Sequence, residues 1–154
     1  MWIGARQNLG DKVRKPVVRA AGRPVGDMIF GPITSTFPPH PTSAGRARAL
    51  VRGALDGYDG AVLDDIVLMV SELVTNAMQH ALSEITMVLQ AHDGVVRVEV
   101  IDRSAAVPAL LGVGSPARSG RGMQVVDRLA DAWGVLPRHS GKAVWFEVSP
   151  RASR

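Results

Sequence analysis

The chain lacks several features on which whole classes of protein depend. None of its 154 residues is cysteine, which excludes disulfides, thiolate catalysis and cysteine-ligated zinc or iron–sulfur centres. No apolar run approaches the roughly 18 residues that a membrane helix needs, and the N-terminus lacks the apolar core of a signal peptide. We therefore expect a cytoplasmic protein that does not enter a membrane. The histidines show no metal-ligand spacing: they are His40, His80, His92 and His139.

Length and charge indicate one globular domain with a basic extension. A hydrophobic fraction of 46% and a charged fraction of 21% are ordinary for a folded domain. Residues 1–31 carry six basic and two acidic side chains and show neither a helical nor a strand period, which predicts a flexible extension. Residues 32–150 form the predicted domain, and 151–154 form a tail. The extension could contact nucleic acid or an acidic partner, or it could be dispensable. Nucleic-acid binding is the weakest interpretation, because the rest of the chain is neutral.

The segment Ala61–Ala81 has the strongest helical pattern in the chain. Its apolar residues recur at helical spacing: Val62, Leu63, Ile66, Val67, Val70, Val74, Ala77, Met78 and Ala81. Glu72 and Asn76 lie together on the other side of this helix, with His80 one turn further along. The pair could hold a divalent ion, orient an attacking hydroxyl, or be an ordinary surface pair.

The polar side of this helix is unusually poor in charge. It also carries Leu68 and Met69, and between Ile66 and Ala81 its only charged residue is Glu72. A solvated face would carry more charged side chains. We therefore expect another part of the chain to cover it.

The spacing of apolar residues predicts the other elements, since alternation indicates a strand and a spacing of three or four residues indicates a helix. These are a strand at Ile33–Phe37, a helix at Ala44–Leu55, a hairpin of Glu84–His92 and Val95–Ile101, and a last strand at Ala143–Ser149. The turn Asp93-Gly94 is typical of such a hairpin. Strand parity directs Asp102 toward the core, where it needs a partner, unless it reaches water or caps a turn.

A loose segment, Arg103–Ser119, leads into a glycine-rich helix start. Gly120-Arg121-Gly122 precedes a predicted helix over Met123–Trp133, which Gly134 closes. A helix N-terminus behind glycines offers free N–H groups to phosphate, although this pattern alone is weak.

Taken together, these motifs resemble a known family. Ser71–Ala81, Val98–Asp102, Gly120–Met123 and Gly141–Phe146 resemble the conserved boxes of the histidine-kinase-like ATPase domains, the GHKL or Bergerat-fold superfamily. Within it, the chain is most similar to the small serine kinases that act as bacterial anti-sigma factors. The resemblance covers about Ile33–Ser149.

The resemblance implies a fold and a set of roles. The fold would be a two-layer α/β sandwich (α+β), with a mixed, mostly antiparallel sheet and helices on one face. Asn76 would ligate Mg²⁺, Glu72 would be the general base on a substrate serine, and Asp102 would accept a hydrogen bond from the adenine amino group of ATP. The phosphates would lie against the glycine box: Gly120, Arg121, Gly122 and Met123. Residues Ala105–Ser119 would form a mobile lid.

The resemblance also implies a regulatory activity. It suggests an ATP-dependent serine/threonine protein kinase that phosphorylates a small anti-sigma-antagonist-like protein and could also sequester a sigma factor. Family members are commonly homodimers. The alternative is a non-catalytic, nucleotide-gated protein-binding module of the same fold. The chain departs from the family at Arg103–Ala106, which lacks glycines, and at Ala143, where a threonine near adenine is common. Either departure could weaken nucleotide affinity.

Overall fold

A computed structural model shows six strands and three helices within residues 12–13, 30–80, 83–104 and 119–149, which are the residues that the structure describes. The elements are β1 (Lys12–Val13), β2 (Phe30–Phe37), α1 (Thr42–Ala54), α2 (Gly60–His80), β3 (Ile85–His92), β4 (Val95–Asp102), α3 (Ser119–Leu129), β5 (Ala132–Arg138) and β6 (Gly141–Val148).

The strands form one sheet in the order β1-β5-β6-β4-β3-β2. Every pairing between these strands is antiparallel. Residues of β3 and β4 alternate between buried and partly exposed, as expected when helices cover one face of a sheet. The predicted two-layer α/β sandwich is therefore confirmed.

The hairpin between β3 and β4 forms at the predicted turn. Asp93 and Gly94 both have positive φ angles, of 51° and 72°. Two successive positive φ angles characterise the type I′ turn that Asp-Gly favours. The turn sets the register in which His92 pairs with Val95, so local sequence determines this part of the sheet.

Helix α2 lies at the centre of the helical layer. It packs between α1 and α3 and against β3 and β4. The Asp59 carboxylate caps its start by accepting hydrogen bonds from the backbone N–H groups of Ala61 and Val62, at 3.1 and 3.3 Å. The predicted inner stripe is buried, with Ile66, Val70 and Val74 fully inaccessible to solvent.

One assignment on α2 was wrong. Met69 was expected on the polar side with Leu68, but it is completely buried, whereas Leu68 is 44% exposed. The reason is that neighbouring helices pack on α2 from two sides in addition to the sheet. The buried surface of α2 is therefore wider than a single apolar stripe.

The region around α3 also differs from prediction. Gly120 and Gly122 lie inside the helix, which ends at Leu129 rather than at Trp133. Trp133 belongs to β5 and pairs with Phe146, while its ring N–H donates to the Asp127 carboxylate at 2.9 Å. Trp133 would be buried both in a longer α3 and in β5. Helical spacing alone therefore could not exclude a strand at this residue.

The face of the sheet away from the helices carries a small polar network. Trp145 and Glu147 lie on this face, as the alternation of the last strand predicts. The Arg97 guanidinium lies over the Trp145 ring, 4.1 Å from its centroid, and also pairs with Glu147 at 2.9 Å. This contact ties β4 to β6 on the side opposite the helices.

Several predictions concern residues that the structure does not describe. Most of the extension 1–31, the main part of the predicted lid at 105–118, and the tail 151–154 lie outside the described residues. The flexibility of the extension, the lid and the domain limits thus stay predictions. The described pair Lys12–Val13 adds to the edge of the sheet next to β5.

Gly141 allows β6 to start close to the end of β4. Its φ angle is +135°, a conformation that residues with a side chain rarely adopt. A Cβ atom at this position would collide with the backbone oxygen of Asp102 and lie 2.6 Å from the Cα of Arg103. Only glycine fits this close approach.

We expect Gly141→Ala to lower the free energy of unfolding by about 1–3 kcal/mol, because the side chain adds backbone strain and a steric clash. Urea denaturation measures this change. The matched control is Gly53→Ala in α1, where an added Cβ meets no atom within 4 Å. Alanine there should stabilise the helix by about 0.5–1 kcal/mol. Equal effects of the two substitutions would contradict the close approach at Gly141.

Candidate functional site

Glu72 and Asn76 lie one turn apart on α2, and both are partly buried. The Asn76 amide nitrogen is inaccessible to solvent, yet among the described residues it has no hydrogen-bond partner. Buried amide groups are normally paired, because leaving one unpaired costs free energy. This amide nitrogen is therefore free to donate to a group outside the described part of the chain. The backbone of His80 ends the same helix, but the structure does not describe its side chain.

The first turn of α3 lies directly against Glu72. A Cβ atom added to Gly122 would approach the Glu72 Oε2 atom to 2.5 Å and the Glu72 Cβ atom to 3.4 Å. The carboxylate thus occupies the space that a side chain at position 122 would fill. This contact provides the cover expected for the polar side of α2, and it gives Gly122 a steric role that spacing alone did not indicate.

The other residues of the glycine box also belong to this first turn. Gly120 and Arg121 lie in the helix, although the structure does not describe the Arg121 side chain. Met123 is fully buried, so its side chain is part of the core and it could contact a ligand through its backbone. The first N–H groups of a helix have no partner within the helix and attract anions.

Asp102 lies at the end of β4 and is buried, with 3% of its surface exposed. Its Oδ1 atom accepts hydrogen bonds from the backbone N–H of Ser104 at 2.7 Å and from the Lys142 ammonium at 3.2 Å. The sequence left two interpretations of Asp102 open, a core-facing charge with a partner and a turn cap, and these are not exclusive. Asp102 caps the turn after the strand and also has a charged partner.

Sequence reasoning missed Lys142. This residue pairs directly with Asp102 across the antiparallel strands β4 and β6, so both side chains lie on the helix-covered face of the sheet. Strand parity in β6 was the available signal, since Lys142 has the parity of the buried Val144. Ala143 lies on the opposite face, so its side chain is directed away from this site.

Candidate site residues thus form two contacts on the helix-covered side of the sheet. One joins Glu72 of α2 to Gly122 of α3, and the other joins Asp102 of β4 to Lys142 of β6. Helix α2 packs on β4 and so connects the two. Among the described residues, no three histidine, aspartate or glutamate side chains are grouped to hold a metal ion. A cation here would depend on the Asn76 amide oxygen and on oxygen ligands from a bound molecule.

None of the helices in the described part of the chain is both long enough and apolar enough to cross a membrane. This statement covers α1, α2 and α3.

Comparison with known proteins gives a consistent result. A family model described as "histidine kinase-like ATPase domain" matches residues 37–148. The solved structure of the RsbU and RsbW domains of Rv1364c from Mycobacterium tuberculosis is 24% identical with a TM-score of 0.59, and the match covers 77% of this chain and 31% of that one. The match therefore spans about a third of the solved mycobacterial chain. At this identity, the likeness shows the fold alone.

A second similar structure is the histidine kinase domain of the blue-light activated histidine kinase EL346 from Erythrobacter litoralis. It is 22% identical with a TM-score of 0.45, and the match covers 85% of this chain and 66% of that one. No curated protein matches this chain.

The contact between Asp102 and Lys142 leads to a stability prediction. Asp102→Ala should lower the free energy of unfolding by about 3–5 kcal/mol, because it leaves the buried Lys142 ammonium without a counter-charge. Adding Lys142→Met should restore most of the loss, since no charge then stays buried. Guanidinium denaturation of the single and double variants measures both effects.

The matched control is Asp64→Ala, which breaks the pair between Arg52 and Asp64 at 3.0 Å. These side chains are 52% and 69% exposed. Exposed pairs contribute at most about 1 kcal/mol. A double variant that is no more stable than Asp102→Ala would show that the loss at Asp102 does not come from an unpaired lysine.

Proposed function

Because the chain belongs to the histidine kinase-like ATPase domain family, whose model matches residues 37–148, we propose that it is an ATP-binding regulatory serine/threonine protein kinase of the anti-sigma-factor type. The observation that carries this proposal is the pair on α2. The buried amide nitrogen of Asn76 has no partner among the residues that the structure describes, and Glu72 lies one turn away beneath the first turn of α3. A polar pair kept at a helix–helix contact is typical of a binding site rather than of a core.

The residues of this region fit a magnesium–nucleotide complex. Asn76 suits a ligand role because its side-chain amide oxygen can bind a hard cation. Its buried nitrogen, which is unpaired within the described part of the chain, can donate to an acceptor on the bound molecule. The N–H groups at the start of α3, around Gly122, suit phosphate oxygens. Asp102 offers a carboxylate for the adenine amino group. When bound, Mg²⁺ would neutralise charge on the phosphate oxygens.

Glu72 has the properties of a base for a hydroxyl nucleophile. It is partly buried, and it lies one helical turn from the proposed metal ligand Asn76. A carboxylate there could accept the proton of a substrate serine and hold its oxygen in position. The close contact with Gly122 restricts where this carboxylate can lie, and such restriction favours a positioned base over a mobile surface side chain.

The proposed substrate is a serine or threonine on a small anti-sigma-antagonist-like protein. A sigma factor could be a second partner. The protein would act in the cytoplasm as a homodimer. The alternative is a non-catalytic, nucleotide-gated protein-binding module. That function needs Asn76, Asp102 and the start of α3, but it does not need Glu72. The two functions therefore make different predictions for a Glu72 variant.

Asn76→Ala should abolish measurable binding of Mg·ATP while the protein stays folded. The fold should survive because the Asn76 side chain forms no bond to other parts of the described chain. Calorimetric titration measures affinity, and thermal denaturation checks the fold. The matched control is Gln79→Ala, an exposed amide on the same helix, which should bind as the wild type does. Unchanged ATP affinity in folded Asn76→Ala would refute the metal-ligand role.

Glu72→Gln should leave ATP affinity nearly intact and slow phosphorylation of the partner by about 10²–10⁴-fold, because it keeps the shape of the side chain and removes its basicity. Transfer of labelled phosphate to a co-purifying small regulator is the measurement. Glu84→Gln is the control, since Glu84 is exposed and precedes β3.

Two outcomes would overturn the kinase proposal. Wild-type protein that binds ATP but transfers phosphate to no co-purifying partner would support the binding module instead. A Glu72→Gln protein that transfers phosphate at the wild-type rate would show that Glu72 is not the base.

A further inference from the structure

Among the residues that the structure describes, Lys142 is the only lysine or arginine that is buried. Its side chain is 7% exposed and that of Asp102 is 2% exposed, with 3.2 Å between the Nζ and Oδ1 atoms. Lysine is almost never this buried unless it is paired. The burial of Lys142 opposite Asp102 therefore indicates a role other than keeping the protein surface soluble.

The hydrogen bonds of this pair leave groups unused. Asp102 Oδ1 accepts both observed bonds, one from Ser104 N–H and one from Lys142 Nζ. Within the described part of the chain, Asp102 Oδ2 accepts none, and Lys142 Nζ has no partner besides Asp102. An ammonium carries three N–H donors. The pair thus presents one free acceptor beside at least one free donor in a buried place.

Stability alone does not account for such a pair. The desolvation of two charges offsets most of their attraction, so apolar residues of the same volume are often equally stable. The chain moreover adopts a positive φ at Gly141, in close contact with the backbone of Asp102, at the start of the strand that carries Lys142. Glycine adopts this conformation without strain, so the close approach fixes the start of β6 beside Asp102.

We propose that Lys142 is a specificity-determining residue that recognises the nucleotide base, an inference that rests on the proposed binding of ATP. The Lys142 ammonium donates a hydrogen bond to a ring nitrogen of adenine next to the amino group, while Asp102 Oδ2 accepts from that amino group. The pair therefore binds a donor and an acceptor that are adjacent on the same base.

The chemistry of adenine matches this arrangement. Its amino group is flanked by two acceptors, N7 on one side and N1 on the Watson–Crick edge. A carboxylate alone could satisfy only the amino group. Because Lys142 and Asp102 are directly opposite on the same face of the sheet, the neighbouring ammonium can satisfy a ring nitrogen as well. Ala143, on the other face, cannot contribute.

The test is a calorimetric comparison of ATP, 1-deaza-ATP and 7-deaza-ATP, each lacking one ring nitrogen. Wild-type protein should bind one of the two analogues about 10–100-fold more weakly than ATP, the effect expected for a lost hydrogen bond to a charged donor. Lys142→Met should bind ATP as weakly as wild type binds that analogue, and the ratio between ATP and the analogue should fall to about one.

The control is Arg138→Met, which removes a cation from the neighbouring strand β5. Arg138 pairs with Glu99, whose strand position directs it away from the helices. This variant should keep the wild-type ratio between ATP and the analogue. A merely structural role for Lys142 would instead weaken ATP and both analogues by the same factor in Lys142→Met and leave their ratio unchanged, which would overturn the proposal.

The remaining outcomes are also decisive. If wild-type protein does not bind ATP, the proposed function fails and the inference fails with it. If it binds ATP and both analogues equally, only the role of Lys142 is overturned. Should Lys142→Met not fold, the ¹⁵N resonance of the Lys142 ammonium in wild-type protein provides a second measurement. It should shift with ATP and not with the weaker analogue, and equal shifts would overturn the inference.

Discussion

The packing of α2 against three neighbours is the constraint on which the rest of the structure depends. The sheet, α1 and α3 all lie against this helix. Burial of its apolar side chains, each contributing about 1.5–3 kcal/mol, stabilises that arrangement. A helix enclosed in this way has little room for polar groups. Glu72 and Asn76 therefore lie in a partly dry environment, where a carboxylate and an amide interact more strongly with a ligand than they would in water.

Close packing also explains the glycines better than loop flexibility does. Gly122 is within a helix, where glycine is unfavourable, but it leaves space for the Glu72 carboxylate. Gly141 similarly allows β6 to start against the backbone of Asp102. Both positions accept a local cost because two segments must approach closely. Each of these approaches adjoins a candidate functional side chain.

The two ends of the candidate site differ in their electrostatics. Asp102 has a cationic partner within hydrogen-bond distance, whereas Glu72 has no ion-pair partner in the described part of the chain. A base must stay free to accept a proton, so an unpaired carboxylate suits Glu72. A group that recognises a base must instead hold a fixed geometry, and the bonds from Ser104 and Lys142 hold Asp102 in place.

The sequence by itself determined the elements whose signals are local. The helical period around Glu72 and Asn76, the alternation of β3 and β4, and the Asp93-Gly94 turn each depend on residues close together in the chain, so each could be predicted. The inward direction of Asp102 was predictable for the same reason, because strand parity is a local property.

Tertiary structure alone decided what depends on distant segments. The burial of Met69, the strand position of Trp133 and the contact between Gly122 and Glu72 all arise from packing between elements far apart in sequence. The partner of Asp102 depends on the register of β4 against β6, where a slip of one residue would place Ala143 opposite it and turn Lys142 to the other face. Periodicity within one segment carries no information about its register against another.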